Sequence, residues 1–230
     1  MIAKKIQLLL NIFWFVVATS FVFGSIMIVI NASGYVINWQ KLTFVKTGLV
    51  SISSNPKEAK IYLSGKLEKK LTPTRLNKLP PNWYDVKISY TDYQDWEEGF
   101  SLKADQAVTF DDIYLFYKNP IVTKKTIDKV RFDNITSPKN LLIEKNELYY
   151  ISSGDKIIVT RFGKNIDSVD WIIKNKYLIV KIDHKLIAIY KDGSDQKELY
   201  SNSDDYDFIV LSENEIAIKS KDEIIVLKVR

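Results

Sequence analysis

The chain has 230 residues, of which 46% are hydrophobic and 27% charged, a balance typical of a folded protein with one large or two small domains. It contains no cysteine and a single histidine, which excludes disulfides, thiolate metal sites and a cysteine nucleophile. The formal net charge is +5, but basic and acidic residues are interleaved, so the sequence does not favour a nucleic-acid surface.

The first predicted element is a membrane-spanning helix over residues 6–30. No charged residue occurs in residues 6–40, and residues 6–30 (IQLLLNIFWFVVATSFVFGSIMIVI) are almost wholly apolar. About 20 helical residues cross a hydrocarbon core of ~30 Å, so this segment is long enough to span it. A cleaved signal peptide has an apolar region of roughly 7–15 residues, which is shorter than this run. The sequence therefore predicts an uncleaved anchor, with residues 1–5 as a cytoplasmic tip.

The orientation of the anchor is predicted from its flanking charges. Two lysines and the α-amino group precede the helix, whereas Lys41 and Lys46 follow it. This slight bias favours an N-terminus inside the cell and a body outside the plasma membrane. Residues 31–47 are predicted to form a juxtamembrane linker, in which Tyr35 and Trp39 are expected to act as interface anchors.

Residues 48–117 are predicted to form a small antiparallel β-sandwich. Apolar and polar residues alternate in four short runs, as expected of strands with one buried face. The expected core positions of these runs are Val50 and Ile52, Ile61 and Leu63, Val86, Ile88 and Tyr90, and Val108 and Phe110. Turn-forming residues separate the runs at Asn55-Pro56, Ser64-Gly65, Pro80-Pro81-Asn82 and Ala104-Asp105.

This segment resembles the PEGA domain, a compact β-sandwich of bacterial and archaeal surface and envelope proteins. The resemblance covers residues 48–115 and rests on an ordered set of motifs, namely Gly48, Ser53 and Pro56, residues 59–65 (AKIYLSG), Thr72-Pro73, residues 79–84 (LPPNWY), and Asp92-Tyr93 followed by Trp96. It implies a β-sandwich fold and a place at the cell envelope, and it implies no catalytic residue.

Three residues stand where the PEGA pattern has glycine: Glu58, Asn82 and Asp92. Asparagine and aspartate tolerate the left-handed backbone region better than other non-glycine residues, so two of the turns are expected to be retained. Glu58 is expected to require a longer or differently formed turn, which costs little free energy.

Four aromatic residues of the same segment are candidates for a platform that binds a glycan or a peptide, because a flat ring offers a large contact area at low entropic cost. They are Trp83, Tyr84, Tyr93 and Trp96. The alternative is that Tyr84 and Tyr93 belong to the core and only a tryptophan edge is exposed.

Residues 118–140 are predicted to be a connector with one strand over residues 129–132. Residues 141–230 then repeat a pattern of two apolar strands joined by a polar turn, with turns at Ser153-Gly154-Asp155, Asp183-His184-Lys185 and Ser220-Lys221-Asp222. The comparable strand positions are Leu148, Leu178 and Ile216.

Such repeats are typical of propeller blades, and residues 186–195 resemble the repeat of TolB-type propellers. A closed propeller needs about four to eight blades, whereas this length is expected to supply fewer than three. We therefore expect an open ring, a ring completed by another chain, or a smaller stack of sheets. The predicted fold class is mainly β with one N-terminal transmembrane helix, a small PEGA-like antiparallel β-sandwich and incomplete β-propeller-like antiparallel repeats.

The sequence offers little for catalysis, and no catalytic, cofactor-binding or metal-binding residue is predicted. The single histidine, His184, falls in a predicted turn. A calcium hypothesis, set against solvated turns, rests on five aspartates within sixteen positions, Asp192, Asp195, Asp204, Asp205 and Asp207. A carboxylate pair for glycoside hydrolysis is formally available in Asp167 and Asp170.

These observations favour a single-pass membrane protein that binds a partner protein or a cell-wall glycan outside the cytoplasm, without catalysis and without nucleic acid. One alternative is a membrane-tethered carboxylate hydrolase, which predicts a deep acidic pocket with a raised carboxylate pKa. Another is a sensor ectodomain, which would act through a membrane partner because about five residues precede the anchor.

Overall fold

The computed structural model describes residues 2–38, 43–123, 132, 138–221 and 223–230. Within them one helix, α1 (Ile2–Ala32), precedes a series of strands that pair mostly antiparallel. The predicted mainly β fold with one N-terminal apolar helix is therefore confirmed. The strand predicted over residues 129–132 lies outside the described residues except for Phe132.

Helix α1 exposes its apolar side chains on all sides. Residues Leu9–Ala32 have a mean hydropathy of 2.3 and are long and apolar enough to cross a membrane, and none of this stretch is buried. The helix ends before Gly34, whose φ of 79° is left-handed, and the Ser33 N–H donates to the Val29 carbonyl at 2.9 Å. A glycine in this conformation is a common helix terminator.

A short hairpin occupies the segment predicted to be a linker. Strands β1 (Tyr35–Asn38) and β2 (Thr43–Lys46) pair antiparallel, with Ile37 opposite Phe44. The prediction missed these strands because neither YVIN nor TFVK alternates apolar with polar residues. The predicted anchor Trp39 lies outside the described residues.

Seven strands follow between residues 48 and 114. They form two sheets, with orders β6-β3-β9 and β5-β4-β7-β8. The strands are β3 (Gly48–Asn55), β4 (Lys60–Leu63), β5 (Lys66–Leu71), β6 (Thr74–Leu79), β7 (Asn82–Ser89), β8 (Trp96–Leu102) and β9 (Ala107–Tyr114). Strands β3, β4, β7 and β9 match the predicted runs. Strand β5 was missed because it is an almost wholly exposed edge strand and has no alternation.

The chain divides into two compact units that both draw on this segment. The first unit comprises residues 1–52, 73–85 and 99–111, and its buried side chains include Val50, Ile52, Leu76 and Leu102. The second unit comprises residues 53–72, 86–98 and 112–230, and its buried side chains include Ile61, Leu63, Val86 and Ile88. Most of the predicted core positions of residues 48–117 are therefore buried.

The turn at Glu58 keeps the geometry that a glycine would provide. Glu58 has a φ of 63° and Asp92 a φ of 67°, both left-handed, whereas the left-handed residue near Asn82 is Lys78, with a φ of 62°. The Glu58 N–H donates to the Thr72 carbonyl at 2.7 Å. Glu58 therefore retains the turn as a strained non-glycine residue, which differs from the looser turn expected.

Residues 121–230 supply three further sheets, with orders β11-β12-β13, β14-β15-β16-β17 and β10-β20-β19-β18. Their strands are β10 (Ile121–Thr123), β11 (Leu141–Glu144), β12 (Glu147–Ser152), β13 (Asp155–Arg161), β14 (Ser168–Ile173), β15 (Tyr177–Ile182), β16 (Lys185–Tyr190), β17 (Lys197–Ser201), β18 (Asp207–Ser212), β19 (Glu215–Ser220) and β20 (Glu223–Lys228). The three predicted hairpins are confirmed as β12–β13, β15–β16 and β19–β20.

The three strand positions predicted to be comparable are equivalent in the structure. Leu148, Leu178 and Ile216 are each the second residue of their strand and are fully buried. Two of these three sheets have four strands and the first has three, and strand β10 of the third sheet comes from the connector. Among the described residues these sheets form no closed barrel or propeller.

The middle sheet is the centre of the second unit's core. All six residues of β15 are buried. Leu178 and Val180 belong to the apolar cluster that contains Leu148 of the first sheet. Tyr177 and Ile179, at the alternate positions, belong to the cluster that contains Ile216 of the third sheet. Because successive strand residues point to opposite faces, both faces of the middle sheet are covered.

Candidate functional site

Trp83 is the most exposed large apolar side chain outside α1 among the described residues, at 59%. It lies on β7 beside Gly99 of β8, where a Cβ atom on the glycine would be only 2.8 Å from the indole Cζ2. The missing side chain at Gly99 therefore makes room for the indole against the strand. Close packing on one side and solvent on the other fix a flat apolar ring at the surface.

Asp85 is the polar neighbour of this ring. Trp83 and Asp85 are two residues apart on β7, so they project from the same face of the sheet. The Asp85 Oδ1 atom would lie 3.3 Å from a Cβ on Gly99, so both side chains flank the same glycine. A flat ring beside a carboxylate acceptor can bind a ligand that has an apolar face and hydrogen-bond donors at its edge, as sugars and peptides do.

Tyr84 does not share this surface. It follows Trp83 directly and therefore points to the opposite face, where its ring stacks on Phe100 with centroids 5.8 Å apart. Its hydroxyl donates to the Pro80 carbonyl at 2.8 Å, and burial raises the pKa of Tyr84. Tyr84 thus packs against Phe100 within the first unit and is partly buried.

Tyr93 and Trp96 belong to the second unit, and both contribute to its packing. Trp96 is only 8% exposed. The ring of Tyr93 contacts those of Tyr90 and Tyr117, at centroid distances of 5.4 and 4.5 Å. Burial, followed by a hydrogen bond to Tyr117, raises the pKa of Tyr93 to about 12. Of the four predicted platform residues, Trp83 alone is well exposed, and Tyr84 projects from the opposite face of the same strand.

The segment around Tyr93 instead joins residues 86–98 to the repeat sheets within the second unit. The Gln94 N–H donates to the Phe116 carbonyl at 2.8 Å, and the Gln94 side chain donates to the Glu198 carbonyl at 3.0 Å. The Lys197 ammonium donates to the Asp95 carbonyl at 2.6 Å. The last two contacts link positions that are about a hundred residues apart, which no local sequence pattern could have indicated.

The aspartates of the calcium hypothesis are mostly engaged by other groups. Asp192 accepts two hydrogen bonds from Ser194, and Asp195 accepts one from the Tyr177 hydroxyl and pairs with Lys197 at 3.0 Å. Asp204 pairs with Lys221 at 2.9 Å and Asp205 with Lys181 at 2.6 Å. In the part of the chain that is described, no three histidine, aspartate or glutamate side chains converge on a metal position.

The carboxylates considered for hydrolysis are not arranged as a pair. Asp167 precedes β14 and is exposed, whereas Asp170 lies within β14, is half-buried and accepts the Trp171 N–H at 2.7 Å. Burial raises the pKa of Asp170. The Asp167 N–H donates to the Lys181 carbonyl of β15, so the extended chain of β14 already begins at Asp167. Asp167 and Asp170 are three positions apart, and an odd separation in an extended chain places their carboxylates on opposite faces.

His184 lies in the turn between β15 and β16, as predicted, and is exposed. It borders an open groove of about 520 Å³ together with Lys164, Asp183, Lys181 and Asp205. Lys164 pairs with Asp183, and the buried Lys181 lowers the pKa of Asp205 through its hydrogen bond. Both lysines of this groove are therefore neutralised by its own aspartates, which leaves no unopposed positive charge among its lining residues.

Comparison with known proteins concerns the segment that contains the surface around Trp83. Residues 47–113 match the family model of the PEGA domain. No curated protein matches the chain. The predicted resemblance to the PEGA domain is thereby confirmed for residues 48–113, and PEGA domains are extracellular domains of the binding or scaffold type. Trp83, Asp85 and Gly99 all lie inside the matched segment.

Proposed function

We propose that this protein is a single-pass, membrane-anchored binding or scaffold protein of the prokaryotic cell envelope, without catalytic activity. The observation that carries the proposal is the order of its parts: a PEGA match over residues 47–113 directly behind an apolar helix that ends at Ala32. A binding domain next to an anchor keeps its ligand close to the membrane, which raises the effective concentration of that ligand there.

The surface around Trp83 is the proposed contact for a cell-wall glycan or a partner protein. Exposed tryptophans are concentrated among the residues that dominate binding energy, because their rings bury a large area and lose little rotamer entropy. Asp85 supplies the acceptor that orients the ligand. The repeat sheets are proposed to offer a second surface, on which another chain can extend the repeat.

Co-sedimentation of the full chain with purified cell-wall sacculi, and cross-linking to membrane proteins in intact cells, test the contact separately. Trp83→Ala should lose at least about tenfold in affinity, because hot-spot tryptophans contribute ~2 kcal/mol or more. Leu67→Ala is the matched control, since Leu67 is 52% exposed on edge strand β5. Equal retention of both variants in both assays would contradict the proposed site.

Gly99→Ala is a second variant, which keeps the Trp83 side chain but shifts the position of its ring. The added Cβ would overlap the far end of the Trp83 ring, a side chain that can move, so the fold should persist while the ring changes its angle. We expect binding to fall while the urea midpoint stays near that of the natural protein.

The proposed topology has its own test. Because the chain has no cysteine, Leu67→Cys provides a single thiol for a membrane-impermeant maleimide. Labelling in intact cells supports an extracytoplasmic body, whereas labelling only after lysis would place it inside and refute this part of the proposal.

A further inference from the structure

The hairpin of β1 and β2 is a sheet of two strands, and no third described strand joins it. Its strands pair with each other and with no other described strand. An isolated two-stranded hairpin is marginally stable in water and requires another surface to cover one face. The hairpin must therefore gain stability from something besides its own backbone hydrogen bonds.

One face of the hairpin has the composition of a membrane interface. Tyr35 and Ile37 alternate along β1, and the register places Lys46 opposite Tyr35 and Phe44 opposite Ile37, so all four share a face. Phe44 is 51% exposed, an unfavourable position for a phenylalanine in water. Aromatic residues and lysines are enriched where a membrane protein passes from hydrocarbon to water.

The hairpin is held at the end of the apolar helix. The Thr47 N–H and hydroxyl both donate to the Gly34 carbonyl, at 2.9 and 2.7 Å, so the end of β2 returns to the residue that terminates α1. The Lys78 ammonium also donates to the Asn31 side-chain oxygen, in the last turn of α1. A bilayer that contains residues 9–32 would therefore have its headgroup layer at the level of this hairpin.

We infer that the β1–β2 hairpin is a lipid-binding element whose face of Tyr35, Ile37 and Phe44 inserts into the phospholipid headgroup layer. The bilayer supplies the covering surface that the two-stranded sheet lacks, and continuity with the apolar helix selects lipid over a protein partner. The inference rests on the proposed membrane anchor. The inserted hairpin limits the tilt of the anchor helix and fixes the distance of the following domain from the membrane.

Single-cysteine variants of the full chain in phosphatidylcholine–phosphatidylglycerol vesicles test this inference. Phe44→Cys and Thr43→Cys carry a polarity-sensitive fluorophore at neighbouring exposed positions on opposite faces of β2. Val22→Cys carries it at the middle of the helix, where the native side chain is 57% exposed. Lipids spin-labelled near the headgroup or deep in the acyl chain serve as quenchers.

The fluorophore at position 44 should show a blue shift and lose fluorescence to the shallow quencher more than to the deep one. The fluorophore at position 43 should stay accessible to aqueous iodide, and that at position 22 should respond to the deep quencher. Deep quenching at position 22 with aqueous behaviour at position 44 would overturn the hairpin inference alone. Aqueous behaviour at position 22 would refute the anchor itself, so the two failures are distinguishable.

Discussion

Thr72 of the Thr-Pro motif offers the sharpest test of how this PEGA-like segment is held together. Its side chain is 2% exposed, and its Oγ1 atom accepts the Ala59 N–H at 3.0 Å and lies 2.7 Å from the Ser54 hydroxyl. Ser54 donates its single hydroxyl proton to the Pro56 carbonyl at 2.7 Å, so Thr72 must be the donor to Ser54. Thr72 therefore satisfies a fully buried N–H directly behind the strained Glu58 turn.

Replacing Thr72 by valine keeps the shape but removes the hydroxyl. The buried Ala59 N–H then lacks an acceptor, at a cost of about 1–3 kcal/mol, and the bond to Ser54 is lost as well. Thr72→Ser is the control, because it keeps the hydroxyl and loses one buried methyl group, worth ~0.8 kcal/mol. We expect Thr72→Val to destabilise by about 2 kcal/mol, and by clearly more than Thr72→Ser.

Equilibrium urea unfolding of the full chain in detergent micelles, followed by tryptophan fluorescence, measures both effects. Ser54→Ala and the double variant complete a cycle, in which the shared bond should make the combined loss smaller than the sum. An unchanged m-value would show that the variants differ in stability alone. If the valine variant is as stable as the serine variant, the hydroxyl does not hold the turn and the reasoning fails.

Glu58→Gly should raise the free energy of unfolding by about 0.5–1 kcal/mol, and with it the urea midpoint, because glycine adopts the φ of 63° without strain from a Cβ atom. An equal gain from Glu58→Ala would contradict this cause. In thermal unfolding, Gly193→Ala should destabilise the protein more than Gly154→Ala does. Both glycines have a left-handed φ, but only a Cβ atom on Gly193 would meet a backbone atom, the Val159 carbonyl oxygen at 2.2 Å. In urea titrations, Asp170→Asn should flatten the loss of stability as the pH rises above the unfolded pKa of an aspartate. Burial raises the pKa of Asp170 in the folded state, so its contribution is complete below the unfolded pKa and is lost as pH rises through the folded one; an unchanged pH profile would oppose this assignment.

Much of the fold could be predicted because its signals are local. The hairpin turns at Ser153-Gly154 and Asp183-His184 have two successive left-handed residues, the geometry that these short polar turns favour. The apolar run of α1 needs no partner to be recognised. Strand β5 and the β1–β2 hairpin escaped prediction because their sequences do not alternate regularly between apolar and polar residues.

The candidate site could be predicted only in part. The aromatic content of residues 83–96 indicated a platform, but alternation along β7 sends Tyr84 away from Trp83. Burial of Trp96 and the contacts of Tyr93 depend on neighbours supplied by distant parts of the chain. Gly99 had no signal of its own, because its role is to leave space for a side chain sixteen residues earlier in the sequence.

By itself the sequence determined the apolar helix, four of the seven PEGA-like strands and the three repeated hairpins, because periodicity, turn chemistry and a long apolar run act between residues close together in the chain. Only the tertiary structure decided which tryptophan reaches the surface and which strand completes the third sheet. Strand β10 pairs with β20 across a hundred residues, with Ile121 opposite Lys228. Such a pairing depends on which sheet edge is left open once the hairpins have packed, and a local pattern contains no information about that edge.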